Sequence, residues 1–590
     1  MISLFSKNFP PSLSSGKCWR RLLRPLFWLT LSSLLLLYVA RPICDPDFWW
    51  HLKSGELMIQ QRGLLRTDPF NYTGDGVVGG FQAVLLYGYW LWETIASVLY
   101  DAMGFNGIFL LKLVTAALLI GAVLFEMSRQ RLSEFTRIVL IGLGALVIVN
   151  LYHLERPQVF SFIFMTLLIG MISRIRMGCL PSSMIFPLMF LWANIHRGFV
   201  VGDILLGLAA AGFLIQYRHD DRKRRLFLTW AAVGILVSFL NPNGWNTLVE
   251  LFDFMQNSIG PSNVNEYRSS WQLFLLQSKM SAIILWTLAV LHLAGMLLVS
   301  RRFWPEIFVS LFIIVFGLAY VRNTGFIAIS LLPMTGWYVE QAYASLNEKV
   351  PGYARIVVSA AFVAIFSWLA LGEWEVRRSA QSPISNCFPV NMANFLKNSG
   401  LSGRLFNDYD SGGYLDWSLY PQWKTFIDGR ELDTRVSSQY LKIASGSVAV
   451  AEGKPYYEFM LDRYQVDVVA LGIANSDGRL QPLLKLLLNR PEWIPVFLDN
   501  QSFVLARYTA QNAPAIRRYG LDKIRFLEIL ARVIGNYANS SPDSTRLLVL
   551  YADILIYAGK HETAELILKK LETSHPDPET MRYLRIGIES

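Results

Sequence analysis

The stretch GIFLLKLVTAALLIGAVLF, Gly107–Phe125, is nineteen residues long and almost wholly apolar. Inside a bilayer no water completes the backbone's hydrogen bonds, so a chain crosses as a helix of roughly twenty apolar residues. This run reads as such a span. Working outward, Pro25–Ala40 precedes it. Ile138–Leu151, Val159–Ile172, Ser182–Ala193, Phe199–Gln216, Leu226–Leu240, Ala282–Ser300, Phe303–Tyr320, Thr324–Tyr338 and Ile356–Gly372 follow. Lys17, Arg20, Arg21 and Arg24 ahead of the first run resemble a signal peptide. No small-x-small cleavage site follows Ala40, so the run is expected to stay as an uncleaved first span.

One further apolar run, Phe81–Tyr100, is ambiguous by length alone, and positive charge decides it. Short cytoplasmic loops are enriched in Lys and Arg. If Phe81–Tyr100 crosses, Arg129, Arg131 and Arg137 fall outside and every later basic loop is inverted. If it lies in the membrane plane, Lys17–Arg24, Arg129–Arg137, Arg174/Arg176, Arg218–Arg225, Arg301/Arg302 and Lys349/Arg355 all face the cytoplasm. Gly88, Glu93 and a Trp/Tyr cluster in the run suit an interfacial amphipathic helix. The expectation is a multi-pass protein of the inner (plasma) membrane with about eleven spans, its N-terminus cytoplasmic and its C-terminal region extracytoplasmic.

Composition agrees. More than half of the 590 residues are apolar and only 17 % are charged, with the charges sparse up to Gly372. The net charge of +10 sits largely in short loops, where it reads as topology information rather than nucleic-acid binding. The four cysteines, Cys18, Cys44, Cys179 and Cys387, show no CxxC spacing and imply neither a zinc site nor a disulfide framework. Three regions are expected: a membrane domain over 1–372 with a long outer loop 41–106, a soluble α/β domain over 373–510, and a helical tail over 511–590.

This topology gathers polar residues at the outer ends of the spans: Asp45, Asp47, Glu155, Arg156, Asn194, His196, Arg197, Asn241, Asn243 and Arg322. Polar groups near hydrocarbon are costly and commonly mark a site or a water-filled cavity. The bland alternative is that they cap turns at the headgroups. The outer loop opens with Asp45-Pro46-Asp47-Phe48-Trp49-Trp50-His51. Two carboxylates one residue apart can supply a general base or hold a divalent cation, although a D-x-D pattern also occurs at helix N-caps.

With the acidic pair just after the first span and an in-plane helix behind it, the chain resembles the GT-C superfamily of integral-membrane glycosyltransferases. That group includes protein mannosyltransferases, oligosaccharyltransferases and lipid A aminoarabinose transferases. The resemblance extends over about residues 25–507, and is strongest to a bacterial branch with strings like Arg156-Pro157-Gln158, Trp192-Ala193-Asn194-Ile195-His196, Asn241-Pro242-x-Gly244 and Asn407-Asp408-Tyr409-x-x-Gly412-Gly413-Tyr414. It implies sugar transfer on the outer face, from a polyprenyl-phosphate-linked donor held among membrane lipids to a protein, lipid or glycan acceptor. In that reading Asp47 or Asp45 is the base, or the pair holds Mg²⁺ or Mn²⁺. Arg156, Arg197 and Arg322 meet the phosphate, with His51, His196, Glu155 and Asn194 lining the substrate site. Two other classes stand beside it: a non-catalytic assembly protein for cell-surface polysaccharide, and a transporter of lipid-linked substrates. No internal repeat supports the transporter. No GxxxxGK[ST] loop or GxGxxG after a strand supports nucleotide chemistry.

Beyond Pro389 the pattern changes to a small mixed α/β unit. Val390–Asn398 has helical spacing. Arg404–Phe406, Trp423–Ile427, Val466–Leu471, Trp493–Leu498 and Ser502–Arg507 are strand candidates, the last pair antiparallel. Asn407/Asp408 and Asp428/Arg430 follow strands, where α/β sheets commonly bind ligands. They equally suit turn caps and an ion pair, and Asp68 suits a turn. Leu547–Leu568 resembles one tetratricopeptide-like helical pair.

Overall fold

The computed structural model describes residues 19–74, 86–249, 252, 269–272, 279–299, 302–345, 351–430, 432–475, 477–540, 544–572 and 577–589. Two compact units divide the chain. Unit 1 comprises residues 1–45, 54–64 and 79–385; unit 2 comprises 46–53, 65–78 and 386–590. The last long helix runs on to Ser379, so the division falls after Ser385 rather than at Gly372.

Unit 1 is helical. In chain order its helices are α1 (Arg24–Val39), α2 (Asp47–Gln61, whose first turns belong to unit 2), α3 (Trp90–Met103), α4 (Phe105–Arg129), α5 (Glu134–Leu151), α6 (Gln158–Arg176) and α7 (Ile185–Ile195). Then come α8 (Phe199–Gln216), α9 (Asp221–Ser238), α10 (Lys279–Leu298), α11 (Trp304–Ala319), α12 (Leu332–Ser345) and α13 (Gly352–Ser379). A 3-10 turn, Val321–Asn323, and a π-helical turn, Phe326–Ser330, lead into α12.

Each of the eleven expected runs coincides with a helical segment. Seven are long and apolar enough to cross a membrane: Arg21–Val39, Phe105–Arg129, Glu134–Leu151, Gln158–Arg176, Phe199–Gln216, Lys279–Leu298 and Gly352–Ser379. The chain is a multi-pass membrane protein. Of the other four, α7 and α11 are apolar but shorter, α9 opens on the charged run Asp221–Arg225, and α12 begins only after the π turn. Helix α3 has fourteen residues, about 21 Å at 1.5 Å per residue, too short for roughly 30 Å of hydrocarbon. The start of the Phe81–Tyr100 run lies outside the described residues.

Close helix packing uses small residues, as apolar helices in lipid require. A Cβ on Gly142 of α5 would lie 2.6 Å from the Phe362 ring of α13. Phe362 and Phe366 in turn meet Phe27 of α1 at ring separations of 5.9 and 5.7 Å. At the ends where α4 and α6 finish and α5 and α11 start, acids meet basic residues, Glu126 and Glu306 buried and Glu134 half-buried. Arg174 donates to Glu126 at 2.8 Å, Arg176 to Glu306 at 3.0 Å, and Arg24 pairs with Glu134.

Unit 2 is a mixed α/β fold. It contains α14 (Val390–Asn398), β1 (Arg404–Asn407), α15 (Tyr409–Leu419), α16 (Thr434–Ala444), the short β2 (Val450–Ala451) and β3 (Lys454–Pro455), α17 (Tyr456–Arg463) and β4 (Val466–Gly472). There follow α18 (Pro482–Leu487), β5 (Trp493–Leu498), β6 (Ser502–Arg507), α19 (Ala513–Tyr519), α20 (Lys523–Ser540), α21 (Thr545–Tyr557), α22 (His561–Glu572) and α23 (Pro578–Glu589). The sheet order is β1-β4-β6-β5, with β1 and β4 parallel and the rest antiparallel. The expected pair α21/α22 is present. The tail shares one apolar core with the sheet: Phe526, Leu530 and Ile554 pack with Phe406, Val469 and Phe503.

One strand expectation fails. Trp423–Ile427 is not in the sheet. Its backbone is satisfied instead by Phe70–Tyr72 of the first loop and by a side chain. Thr425 N–H donates to Phe70 O at 3.0 Å, and Tyr72 N–H donates to Thr425 O at 3.2 Å. The Asn407 amide accepts from Phe426 N–H at 2.7 Å and donates to Ile427 O at 2.8 Å. An apolar β-branched run records burial, not which partner completes its hydrogen bonds.

Candidate active site

The acidic pair after α1 is split between the units. Asp45 ends a unit 1 segment, is fully buried, and pairs with the guanidinium of Arg156. Asp47 belongs to unit 2, opens α2 and is half-buried. At a helix's first turn a carboxylate faces orphan N–H groups and the positive end of the macrodipole.

Unit 1 ties several expected residues into one hydrogen-bonded end of its helices. Glu155 is buried; its carboxylate accepts from Cys44 N–H at 3.4 Å and lies 3.4 Å from Lys112 Nζ. Burial alone would raise its pKa, but Lys112 and the nearby His153 hold it below the usual carboxylate range. Lys112 also donates to Arg41 O at 3.1 Å. Gln158, at the end of Arg156-Pro157-Gln158, donates to Arg322 O at 2.7 Å. The Tyr152 hydroxyl lies 2.8 Å from Thr324 Oγ1 and accepts from Gly325 N–H at 2.6 Å. The six-residue connection between α5 and α6 thus reaches both the start of the outer loop and the turn bearing Arg322.

His196 lies in the connection between α7 and α8. Gly198 N–H donates to its Nδ1 at 2.9 Å, which leaves that nitrogen as an acceptor and puts the proton on Nε2. Trp192 Nε1–H donates to Ser161 Oγ at 2.7 Å, so the Ser161 proton is free to donate to the same Nδ1, also at 2.7 Å. A Cβ on Gly198 would collide with Ser161 Oγ and lie 2.7 Å from Nδ1. Burial, then the charges of Arg197 and Arg322, push the imidazole pKa well below its ordinary value. The ring is neutral, and both guanidinium charges act on it. The Tyr89 ring packs 5.5 Å from His196, with Arg197 5.8 Å from its centroid. Asn194 has a bracing role: it donates to Phe190 O at 2.8 Å and Leu240 O at 2.9 Å and accepts from Trp90 Nε1–H at 3.0 Å.

In unit 2, His51 is buried with its ring 3.5 Å from that of Trp50. Trp50 Nε1–H reaches Asp47 Oδ1 at 3.3 Å. Arg430 is fully buried: its Nε donates to Asp428 Oδ1 at 2.9 Å, a second nitrogen pairs with Asp428 Oδ2, and Asp68 lies 2.9 Å away. Thr425 Oγ1 donates to Asp416 Oδ1 at 2.6 Å. Burial raises both Asp68 and Asp416, whereas the Arg430 guanidinium overcomes burial at Asp428 and keeps it low; Arg430 itself is held charged by Asp428 and Asp68. Asp68 is therefore a partner of Arg430 as well as the turn residue its sequence suggested, with Phe70 N–H donating to it at 3.1 Å. Among the described residues no group of three or more His, Cys, Asp or Glu side chains is placed to hold a metal ion.

Sequence reasoning missed Lys112, Ser161 and Tyr152. A lone lysine within the Gly107–Phe125 run was the one available signal; the other two carry none, because only tertiary contact gives their hydroxyls partners.

Fold and site together define a multi-pass membrane protein with charged side chains clustered at one end of its helices and a soluble α/β unit. No protein-family model and no curated protein matches the chain. Among solved structures it is similar to ArnT from Cupriavidus metallidurans bound to undecaprenyl phosphate, with a TM-score of 0.41 and 14 % identity, over 84 % of this chain and 99 % of that one.

Proposed function

We propose that the protein is a membrane glycosyltransferase that moves a sugar from a polyprenyl-phosphate-linked donor to an acceptor hydroxyl or amine on the extracytoplasmic face. The observation that carries this is the grouping at one end of unit 1's helices of His196 and the Arg197 guanidinium, both packed on the Tyr89 ring, with the turn bearing Arg322 held there by Gln158. Guanidiniums and an Nε2–H donor gathered at that end form a recognition chemistry for a phosphate at headgroup level. The donor's tail would remain among lipids. Asp45 is buried against Arg156, so the base role falls to Asp47. As the acceptor oxygen or nitrogen attacks C1, the C1–O bond to phosphate breaks with its electron pair leaving on the polyprenyl phosphate, and the acceptor proton passes to Asp47. A single displacement of this kind inverts the anomeric centre. A requirement for Mg²⁺ or Mn²⁺, with Asp47 as a ligand in place of its role as base, is a separate proposal, checked by loss of turnover on chelation.

The test uses the full chain in nanodiscs with a panel of short-chain polyprenyl-phosphate sugars. Release of polyprenyl phosphate from at least one donor is expected. Asp47→Asn should lower turnover by about 10²- to 10⁴-fold, the span typical of general-base loss, while still binding polyprenyl phosphate. Arg197→Ala and Arg322→Ala should weaken that binding. Binding indifferent to both arginines, or an Asp47 reachable by impermeant label only from the cytoplasm, overturns the proposal.

A further inference from the structure

In unit 2 the turn that carries Asp47 meets glycines far from it in sequence: Gly429 lies against Asp47 itself, Gly413 against Pro46 and Trp50, and Gly412 behind them against Ile427 and Asp428. A Cβ on Gly429 would collide with Asp47 Oδ1. One on Gly413 would lie 2.6 Å from Pro46 O and 3.1 Å from the Trp50 ring. One on Gly412 would meet Ile427 O and lie 2.6 Å from Asp428 Cα. None of the three has a positive φ, so the backbone conformation does not demand glycine. What excludes a side chain is the nearness of another segment: α15 lies on Ile427–Asp428, and both present bare backbone to the start of α2.

The same turn is gripped by rings. Trp49 is fully buried, with ring separations of 5.3 Å to Phe388, 5.1 Å to Tyr414 and 4.8 Å to Trp417. Trp50 carries the Arg430 guanidinium 5.8 Å from its centroid and aims its indole N–H at Asp47. Arg430 is itself anchored by Asp428 and Asp68 and packs 4.8 Å from the Phe70 ring. A chain of contacts therefore runs from the Asp428-Gly429-Arg430 loop through Trp50 to the Asp47 carboxylate.

We infer that this loop and the Gly412-Gly413 step form a cradle that positions Asp47, with Trp50 and Arg430 as positioning residues. The inference rests on the reading of Asp47 as the base. It makes residues of the α/β unit responsible for how Asp47 is held. The indole N–H favours the ionised carboxylate, so Trp50 also tunes the proton affinity of the base.

The experiment reads Asp47 directly, without a substrate, in the full-length protein in nanodiscs. Carbodiimide labels protonated carboxyls; its pH dependence at Asp47 is followed by peptide mass spectrometry, and hydrogen exchange of the 46–53 peptide is measured alongside. Trp50→Phe keeps a ring and deletes the N–H: its labelling midpoint should move to higher pH. Gly429→Ala should speed exchange of 46–53 by about tenfold, equivalent to about 1.4 kcal/mol, with the β4–β6 peptides unchanged. If Gly429→Ala unfolds the unit, Trp50→Phe alone carries the test. An unshifted midpoint in Trp50→Phe, with unchanged exchange in a folded Gly429→Ala, overturns the cradle and leaves the role of Asp47 as base intact. A fully active Asp47→Asn together with a shifted midpoint supports the cradle and removes the base reading, so the two failures are distinguishable.

Discussion

Asp45 and Asp47 are separated by one proline, yet their surroundings assign them different chemistry. Asp45 has no exposed surface and its charge is matched by Arg156. Removing one partner of a buried pair strands the other and costs about 3–5 kcal/mol. Asp45→Ala should therefore lower the thermal midpoint of the detergent-solubilised protein sharply, whereas Asp47→Asn should barely move it; a fluorescence melt distinguishes them. Asp408, between β1 and α15, offers a pH test. Burial pushes its pKa up to about 7, against a partial lowering by the Gly472 N–H bond. A carboxyl whose folded pKa exceeds its unfolded one holds its proton more tightly in the native state. Its contribution is present below the unfolded pKa and is lost as pH rises through about 7. Asp408→Asn, which can still accept from Gly472, should stabilise the protein by on the order of 1 kcal/mol or more above neutrality and give no gain near about pH 4. Unfolding midpoints at the two pH values check this.

Among the elements, the helices were legible because an apolar run of sufficient length has one solution in lipid. Their partners were not. Glycine 170 of α6 leaves the space that the Glu126 carboxylate of α4 occupies, since a Cβ there would collide with it, and Glu126 carries the Arg174 pair. Gly170→Ala should displace that pair and destabilise by about 1–3 kcal/mol, the usual range for overpacking, measured by thermal melting; Gly121→Ala, with nothing within 4 Å of its Cβ, is the control. Gly198→Ala should disturb the His196–Ser161 contact and weaken polyprenyl-phosphate binding more than it lowers stability. Helix α2 went unrecognised because its sequence, DFWWHLKSGELMIQQ, mixes polar and apolar residues without a clean stripe. The strand expected at Trp423–Ile427 failed for the opposite reason: its composition was right, but Asn407 and the Phe70–Tyr72 segment complete its hydrogen bonds.

For the whole molecule, unit 2 is assembled from three separate stretches of chain. A fragment beginning at Asn386 would lack Asp68, Phe70, Asn71 and Trp49. It would keep the fully buried Arg430 with fewer charge partners and would expose the rings that enclose Trp49. We expect such a fragment to be aggregated or molten, with weak near-ultraviolet dichroism; a sharp cooperative melt would contradict the shared assembly. The soluble unit could not have been delimited from composition, because 46–53 and 65–78 lie within the first outer loop, more than three hundred residues before the rest of the unit they join.

The sequence by itself determined the membrane class, the positions of the helices, the mixed sheet and the identity of the polar residues at the helix ends. Each of these follows from local periodicity, run length and the cost of polar groups in hydrocarbon. Only the tertiary structure decided that Asp45 is sequestered by Arg156, that His196 lies against Ser161, and that Asp47 lies against Gly429 from the far end of the chain. Those are contacts between residues distant in sequence. A side chain's partner, unlike its hydrophobicity, is written nowhere in its neighbours.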